Sequence, residues 1–115
     1  MLRRLRLALS ARSVRPYVAV VRLQGTVVDS ARPSPDAVNV RRFAPALEAA
    51  FASNPRAVAL QVSSPGGSAV QSSLLFKETR ALKSQYERAF ARNIPVISFV
   101  EDMALSGGFY IACAA

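Results

Sequence analysis

One unit occurs twice in this chain and restricts what it can fold into more than any other feature. An apolar run, Ala57-Val58-Ala59-Leu60-Gln61-Val62, leads into the turn Ser63-Ser64-Pro65-Gly66-Gly67-Ser68. A second run, Pro95-Val96-Ile97-Ser98-Phe99-Val100, is followed by Leu105-Ser106-Gly107-Gly108-Phe109-Tyr110. Each reads as a buried strand that enters a glycine turn and then a helix. Strands joined through helices cross over in the right-handed sense and lie in a mainly parallel sheet. The carboxyl ends of such strands share one edge, where ligands bind in open α/β sheets. The expected class is therefore α/β, with the two glycine turns facing each other.

The remaining segments fit that plan. Residues 17–23 (YVAVVRL) form a valine-rich strand, and Gly25 marks a turn or bulge before Thr26, Val27 and Val28. Residues 29–36 hold two prolines, two serines and two acids and read as a surface loop. Phe43, Leu47, Ala50 and Phe51 recur at helical spacing, which predicts a helix over 40–52 with Pro45 tolerated in its first turn. Residues 57–62 carry little polar content, as expected of a central parallel strand covered on both faces. A long helix is expected over 69–92, with Val70, Leu74, Leu75, Leu82, Tyr86 and Phe90 buried. Lys77, Glu78, Arg80, Lys83, Glu87 and Arg88 then stand mostly in solvent. Glu101 and Asp102 are placed on a loop as a solvated pair, with contact to substrate or a neighbouring subunit as the alternative. Phe109 and Tyr110 are expected to pack in the core beneath the turn. The apolar pattern of residues 111–115 carries no helix-stop signal, so residues 17–115 read as the N-terminal part of one larger domain.

Charge and reactive side chains narrow the function. The net charge is +8, but Arg3, Arg4, Arg6, Arg12, Arg15 and Arg22 all precede the first acid, Asp29. The excess is thus concentrated in an arm over residues 1–16, and no stripe of arginines interleaved with aromatics supports nucleic-acid binding. The arm's arginines also interrupt the apolar core of roughly 7–15 residues that a secretory signal needs. It reads as a disordered tail, a mitochondrial transit peptide, or a basic strip on an anionic membrane surface. No apolar run approaches the ~20 residues that span a bilayer. With one cysteine, Cys113, and no histidine, the chain forms no internal disulfide, thiolate metal cluster or Ser-His-Asp triad.

Two turns then hold the candidate chemistry. Pro65-Gly66-Gly67 reads either as a plain turn capped by Ser68 or as a loop that admits a substrate backbone, with the Gly67 N–H aimed at an oxyanion. Ser106-Gly107-Gly108 reads either as an N-cap serine or as a nucleophile at a helix start, with the Gly107 N–H as second donor. Together on one sheet edge they point to acyl transfer. Ser63, Ser64, Ser68, Ser72 and Ser73 belong to a class common in caps and turns, and none is singled out as a nucleophile.

SSPGGSAVQSS after its strand, followed by PVISFVEDMALSGGFYIACAA, resembles the protease IV / signal peptide peptidase A family, particularly its SohB-like members. The likeness runs from about residue 17 to 115. It implies the crotonase-like α/β fold shared with the Clp protease proteolytic subunit. Ser106 then takes the family's nucleophile position, and Gly67 and Gly107 its oxyanion-hole positions. The family's general base is a lysine well downstream, beyond residue 115, so the Ser-Lys dyad is incomplete here. The resemblance further implies hydrophobic peptide substrates such as cleaved signal peptides, ring-like homo-oligomers, membrane association, and no cofactor. Two alternatives stay open: a crotonase-type acyl-CoA hydratase or isomerase, and a catalytically inactive scaffold.

Overall fold

The computed structural model describes residues 15–30 and 34–115. The expected basic arm, up to residue 14, and residues 31–33 of the expected loop lie outside them. The order is β1 (Val18–Gln24), β2 (Thr26–Val27), β3 (Ala37–Val38), α1 (Val40–Ala52), β4 (Ala57–Ser64), α2 (Ala69–Phe90), β5 (Val96–Ala104) and α3 (Gly107–Ala112). Three strands form a parallel sheet in the order β1-β4-β5. β2 and β3 form a small parallel pair, and Val27 bridges from it to Gly67. The α/β class with a mainly parallel sheet is as the two repeated units imply.

Side-chain alternation along the strands divides the sheet into unlike faces. Val21 and Leu23 of β1 and Val58, Leu60 and Val62 of β4 point inward, against Leu47 and Phe51 of α1, Leu75, Leu82 and Tyr86 of α2, and Ile111 of α3. Each such aliphatic or aromatic side chain contributes about 1.5–3 kcal/mol when fully removed from water. The register sets Val20, Ala59 and Ile97 in one row on the opposite face, and Arg22, Gln61 and Phe99 in the next. That face is bare among the described residues: Val20 is 60% exposed and Phe99 56%. The expectation that β4 is covered on both faces is therefore corrected. Ala57 and Ala59 are buried because they are small and sit in the middle strand of the sheet, not because a helix covers them.

The helices depart from expectation in three places. Pro45 lies in the second turn of α1, not the first. It is exposed, so the carbonyl it leaves without an N–H partner faces the solvent side. α2 ends two residues early because Ala91 adopts the left-handed conformation, φ 54°, and caps onto Glu87 O. Its buried stripe is Gln71, Ser72, Leu75, Thr79, Leu82, Tyr86 and Phe90, while Val70 and Leu74 are exposed. The first three turns carry polar side chains inward because each has a partner there. Gln71 Oε1 accepts from Val40 N at 3.0 Å, Ser72 Oγ donates to Ser68 O at 2.8 Å, and Thr79 Oγ1 donates to Leu75 O at 2.8 Å.

Lys83 and Glu87, expected in solvent, instead fasten the end of α2 to the start of β5. Lys83 Nζ donates to Glu87 Oε2 at 2.7 Å, Asn93 Oδ1 at 3.2 Å and Ile94 O at 2.9 Å. Glu87 Oε2 also accepts from Ile94 N at 2.7 Å. The Lys83 hydrogen bond, and then the Ile94 N–H, hold the Glu87 carboxyl below its ordinary range.

β5 continues four residues past the expected end. Val62 pairs with Val100 but Ser64 pairs with Ala104, so β5 advances four residues while β4 advances two. Asp102, φ 45°, takes up the irregularity. Glu101 and Asp102 are thus part of a strand bulge rather than a loop. Gln61 Nε2 donates to Glu101 Oε1 and Arg22 Nε donates to Gln61 Oε1, a polar row linking all three strands at the bulge. Bulges of this kind re-aim the chain and recur beside active sites.

Candidate active site

Beyond the bulge the chain turns sharply from β5 into α3, and Ser106 stands at the corner. Its backbone has φ 51° and ψ −116°, the geometry of the first central residue of a type II′ turn, a position glycine normally takes. Gly108 N donates to Leu105 O at 2.9 Å and closes that turn. A serine held this way costs on the order of 1–3 kcal/mol. Of the two readings of Ser106, the structure gives the N-cap position without its usual bond: Ser106 precedes α3 but makes no side-chain cap hydrogen bond, and it is exposed. Ser68 is the contrast, an ordinary cap whose Oγ accepts from Gln71 N at 3.2 Å. A strained serine at a strand-to-helix corner, hydroxyl uncommitted to a cap, is the arrangement of a nucleophile elbow.

The second turn lies directly against the first, as two such turns on one sheet edge require. A Cβ built on Gly66 would stand 2.8 Å from Leu105 O, 2.9 Å from Gly107 N and 2.9 Å from Ser106 Cβ. Only a glycine permits that approach. From the other side, a Cβ on Gly107 would run into Ser72 Oγ, and one on Gly108 would stand 2.6 Å from Ser64 O. The turns interlock through glycine on both sides.

Gly67 is exposed with φ 142°, and Gly107 is buried at the start of α3. Val27 N donates to Gly66 O at 2.9 Å and Ser68 N donates to Val27 O at 2.6 Å, so the bridge to β2 uses the groups on either side of the Gly67 N–H. Among the described residues neither the Gly67 nor the Gly107 N–H has a backbone acceptor. Uncommitted N–H groups beside an exposed hydroxyl are what stabilisation of a developing oxyanion needs. α3 is only six residues long, so its dipole adds less than a longer helix would.

Other side chains here differ from expectation. Phe109 and Tyr110 do not pack in the core: they are 61% and 44% exposed. Tyr110 meets Phe76 edge-on, with ring centroids 5.1 Å apart. Leu105 in the second turn, Phe109 and Tyr110 of α3, and Val70 and Leu74 at the start of α2 leave apolar surface around the two turns. The structure also brings in two serines that sequence reasoning set aside. Ser64 and Ser72 are both 1% exposed and lie under the interlocked turns. The signal for Ser64 was strand phase with Val58, Leu60 and Val62; for Ser72 it was helical phase with Leu75 and Thr79.

No protein-family model matches the chain. Two Brucella proteins named Na(+)/H(+) antiporter NhaA, from Brucella melitensis biotype 1 and Brucella abortus strain 2308, are each 36% identical to it over 104 residues. That stretch is 90% of this chain and 13% of theirs. The chloroplastic serine protease SPPA of Arabidopsis thaliana is 38% identical over 60 residues, 52% of this chain and 8% of that protein. The chain thus spans about an eighth or less of the curated relatives it matches.

Proposed function

We propose that this chain carries the nucleophile and oxyanion-binding half of a serine peptidase site on a crotonase-like fold. The observation that carries the reading is the conformation of Ser106, exposed and held in a glycine-type turn against Pro65-Gly66-Gly67. The partial identity to a chloroplastic serine protease supports the same chemistry. Ser106 Oγ attacks the peptide carbonyl carbon, and the carbonyl oxygen becomes an oxyanion facing the Gly67 and Gly107 N–H groups. Collapse expels the amine, which leaves with the proton first taken from Ser106, and water then hydrolyses the acyl-enzyme. A lysine from outside this chain acts as the base. Leu105, Phe109 and Tyr110 suit apolar peptides, signal peptides among them. Homo-oligomerisation, and placement at a membrane surface or in a mitochondrion, belong to the same proposal. Among the described residues no helix is long and apolar enough to cross a membrane.

The antiporter relatives favour a second reading, in which the shared stretch serves ion exchange. Ion exchange runs through charged groups set inside a membrane-spanning bundle. The described residues fold as a parallel sheet with helices on one face, a layer that offers no such route among them. The peptidase reading accounts for the strained serine, and the transport reading does not. An acyl-CoA hydratase or isomerase would use the same N–H pair without a nucleophile, and an inactive scaffold would need neither. Applied to the protein together with the lysine-bearing segment that activates Ser106, a fluorophosphonate probe followed by peptide mass mapping separates them. The expected result is modification at Ser106, lost in Ser106→Ala; equal labelling of other serines, or none at Ser106, overturns the peptidase reading.

A further inference from the structure

Ser64 is tied to both turns by different atoms. Its Oγ accepts from Gly66 N at 3.1 Å, which fixes the Pro-Gly-Gly turn. Its carbonyl oxygen accepts from Leu105 N at 3.0 Å, which fixes the residue before Ser106. The Ser64 carbonyl and Cβ also lie so near Gly108 that no side chain fits there. Ser64 is 1% exposed, and it marks the point where pairing between β4 and β5 resumes after the bulge, opposite Ala104. One residue therefore sets the spacing between the segment holding the Gly67 N–H and the segment holding Ser106 and the Gly107 N–H.

We infer that Ser64 is a positioning residue of the site, acting through Gly66 to hold the Gly67 N–H in register with Ser106; this rests on the peptidase reading. The backbone half of the tie survives any substitution, because a carbonyl is always present. The side-chain half is specific to an acceptor at Oγ. Without it the Gly66 N–H is buried with no partner, and the Pro65–Gly66 peptide that carries it can rotate to find one, pulling on the adjoining Gly66–Gly67 peptide. Gly66, with no Cβ, offers little torsional resistance to that rotation at its φ. Val27 N holds the Gly66 carbonyl from the other side, so Ser64 and Val27 together secure the orientation of the Gly67 N–H.

A peptidyl boronic acid with an apolar residue next to boron tests this without a general base. Ser106 Oγ donates a lone pair to boron, its proton passes to buffer, and the boron becomes a tetrahedral anion with one oxygen placed as the oxyanion would be. Adduct formation is followed on the full chain by boron-11 NMR, and affinity by titration. Wild type is expected to form the adduct and Ser106→Ala to lose it; no adduct on wild type overturns the peptidase reading and this inference with it. Ser64→Ala is expected to bind about tenfold or more weakly, a part of the loss that follows from removing an oxyanion donor entirely. Thr79→Ala is the control for lost stability, since Thr79 is equally buried and loses one side-chain hydrogen bond, on α2 and away from the turns. It is expected to bind within about twofold of wild type, well inside the Ser64→Ala loss. If Ser64→Ala binds as wild type does, or Thr79→Ala weakens equally, Ser64 is merely structural while Ser106 keeps its role. Should Ser64→Ala not fold, Ser64→Cys is read the same way, because it keeps a side chain of similar shape but accepts an N–H far more weakly.

Discussion

A side chain at φ 51° and ψ −116° is held against its own preference, and relief of that strain is measurable. Glycine occupies this region freely, whereas alanine meets the same backbone clash as serine. Ser106→Gly should therefore stabilise the fold by roughly 1 kcal/mol, the strain of about 1–3 kcal/mol less the extra chain entropy glycine loses on folding. Ser106→Ala should leave stability nearly unchanged. Chemical denaturation of the three proteins decides it, and a destabilised Ser106→Gly would mean the turn holds no stored strain. The neighbouring glycines do not allow so clean a separation. A side chain on Gly67 would collide with the Val27 carbonyl, so Gly67→Val disturbs the bridge to β2 as well as an N–H donor. That double role was not legible in the sequence, where Val27 lies forty residues away. The serine–glycine sequence of the second turn was legible, because glycines beside a serine after an apolar run leave few conformations open. Which of two permitted uses the serine takes, cap or nucleophile, depends on backbone angles that residue types do not determine.

At the scale of elements, α2 links the two ends of the sheet, and its far end is governed by charge. Lys83 and Glu87 lie one helical turn apart, and both reach back to the backbone of Ile94 just before β5. A carboxyl whose pKa is lowered on folding stabilises the native state above its unfolded pKa. That contribution is lost as pH falls through the folded value. Glu87 is such a group, its ordinary value being 4.5. Wild type should therefore lose more stability than Glu87→Gln on going from neutral pH to below the ordinary carboxylate range. Urea midpoints at the two pH values measure this, and equal losses would show that the ion pair contributes nothing. The helix itself was legible from Leu75, Leu82, Tyr86 and Phe90. Val70 and Leu74 were misplaced because the first two turns bury Gln71 and Ser72, whose partners are a distant helix start and a preceding carbonyl. Periodicity counts apolar residues and does not register a polar one that finds its partner.

For the molecule as a whole, the parallel sheet sets distances that no local pattern states. Its order follows from two strand-turn-helix units, which is why the class and the meeting of the turns were legible. The bare face was not: the apolar run of β4 fits a strand covered on both faces or a small-residue strand between neighbours. The same geometry decides whether this chain can supply its own base. Its lysines are Lys77 and Lys83. Lys83 is committed to Glu87, Asn93 and Ile94, at the end of the sheet where β5 begins, whereas Ser106 follows the end where β5 stops. With its bulge, β5 pairs along Val58 to Ser64 of β4, and six steps at about 3.3 Å put some 20 Å between those ends. Lys77 is exposed on α2, ten residues past Gly67, so its backbone lies roughly 15 Å along the helix from the first turn. Helical side chains lean back toward the N-terminus and recover part of that, but not to the ~2.6–3.2 Å a general base requires. Arginine stays protonated and cannot replace it. The purified 115-residue chain should accordingly show no hydrolysis of apolar peptides or esters that depends on Ser106, and Lys77→Ala should change nothing. Hydrolysis that disappears in Ser106→Ala and in Lys77→Ala alike would place the base inside this chain and refute an external lysine.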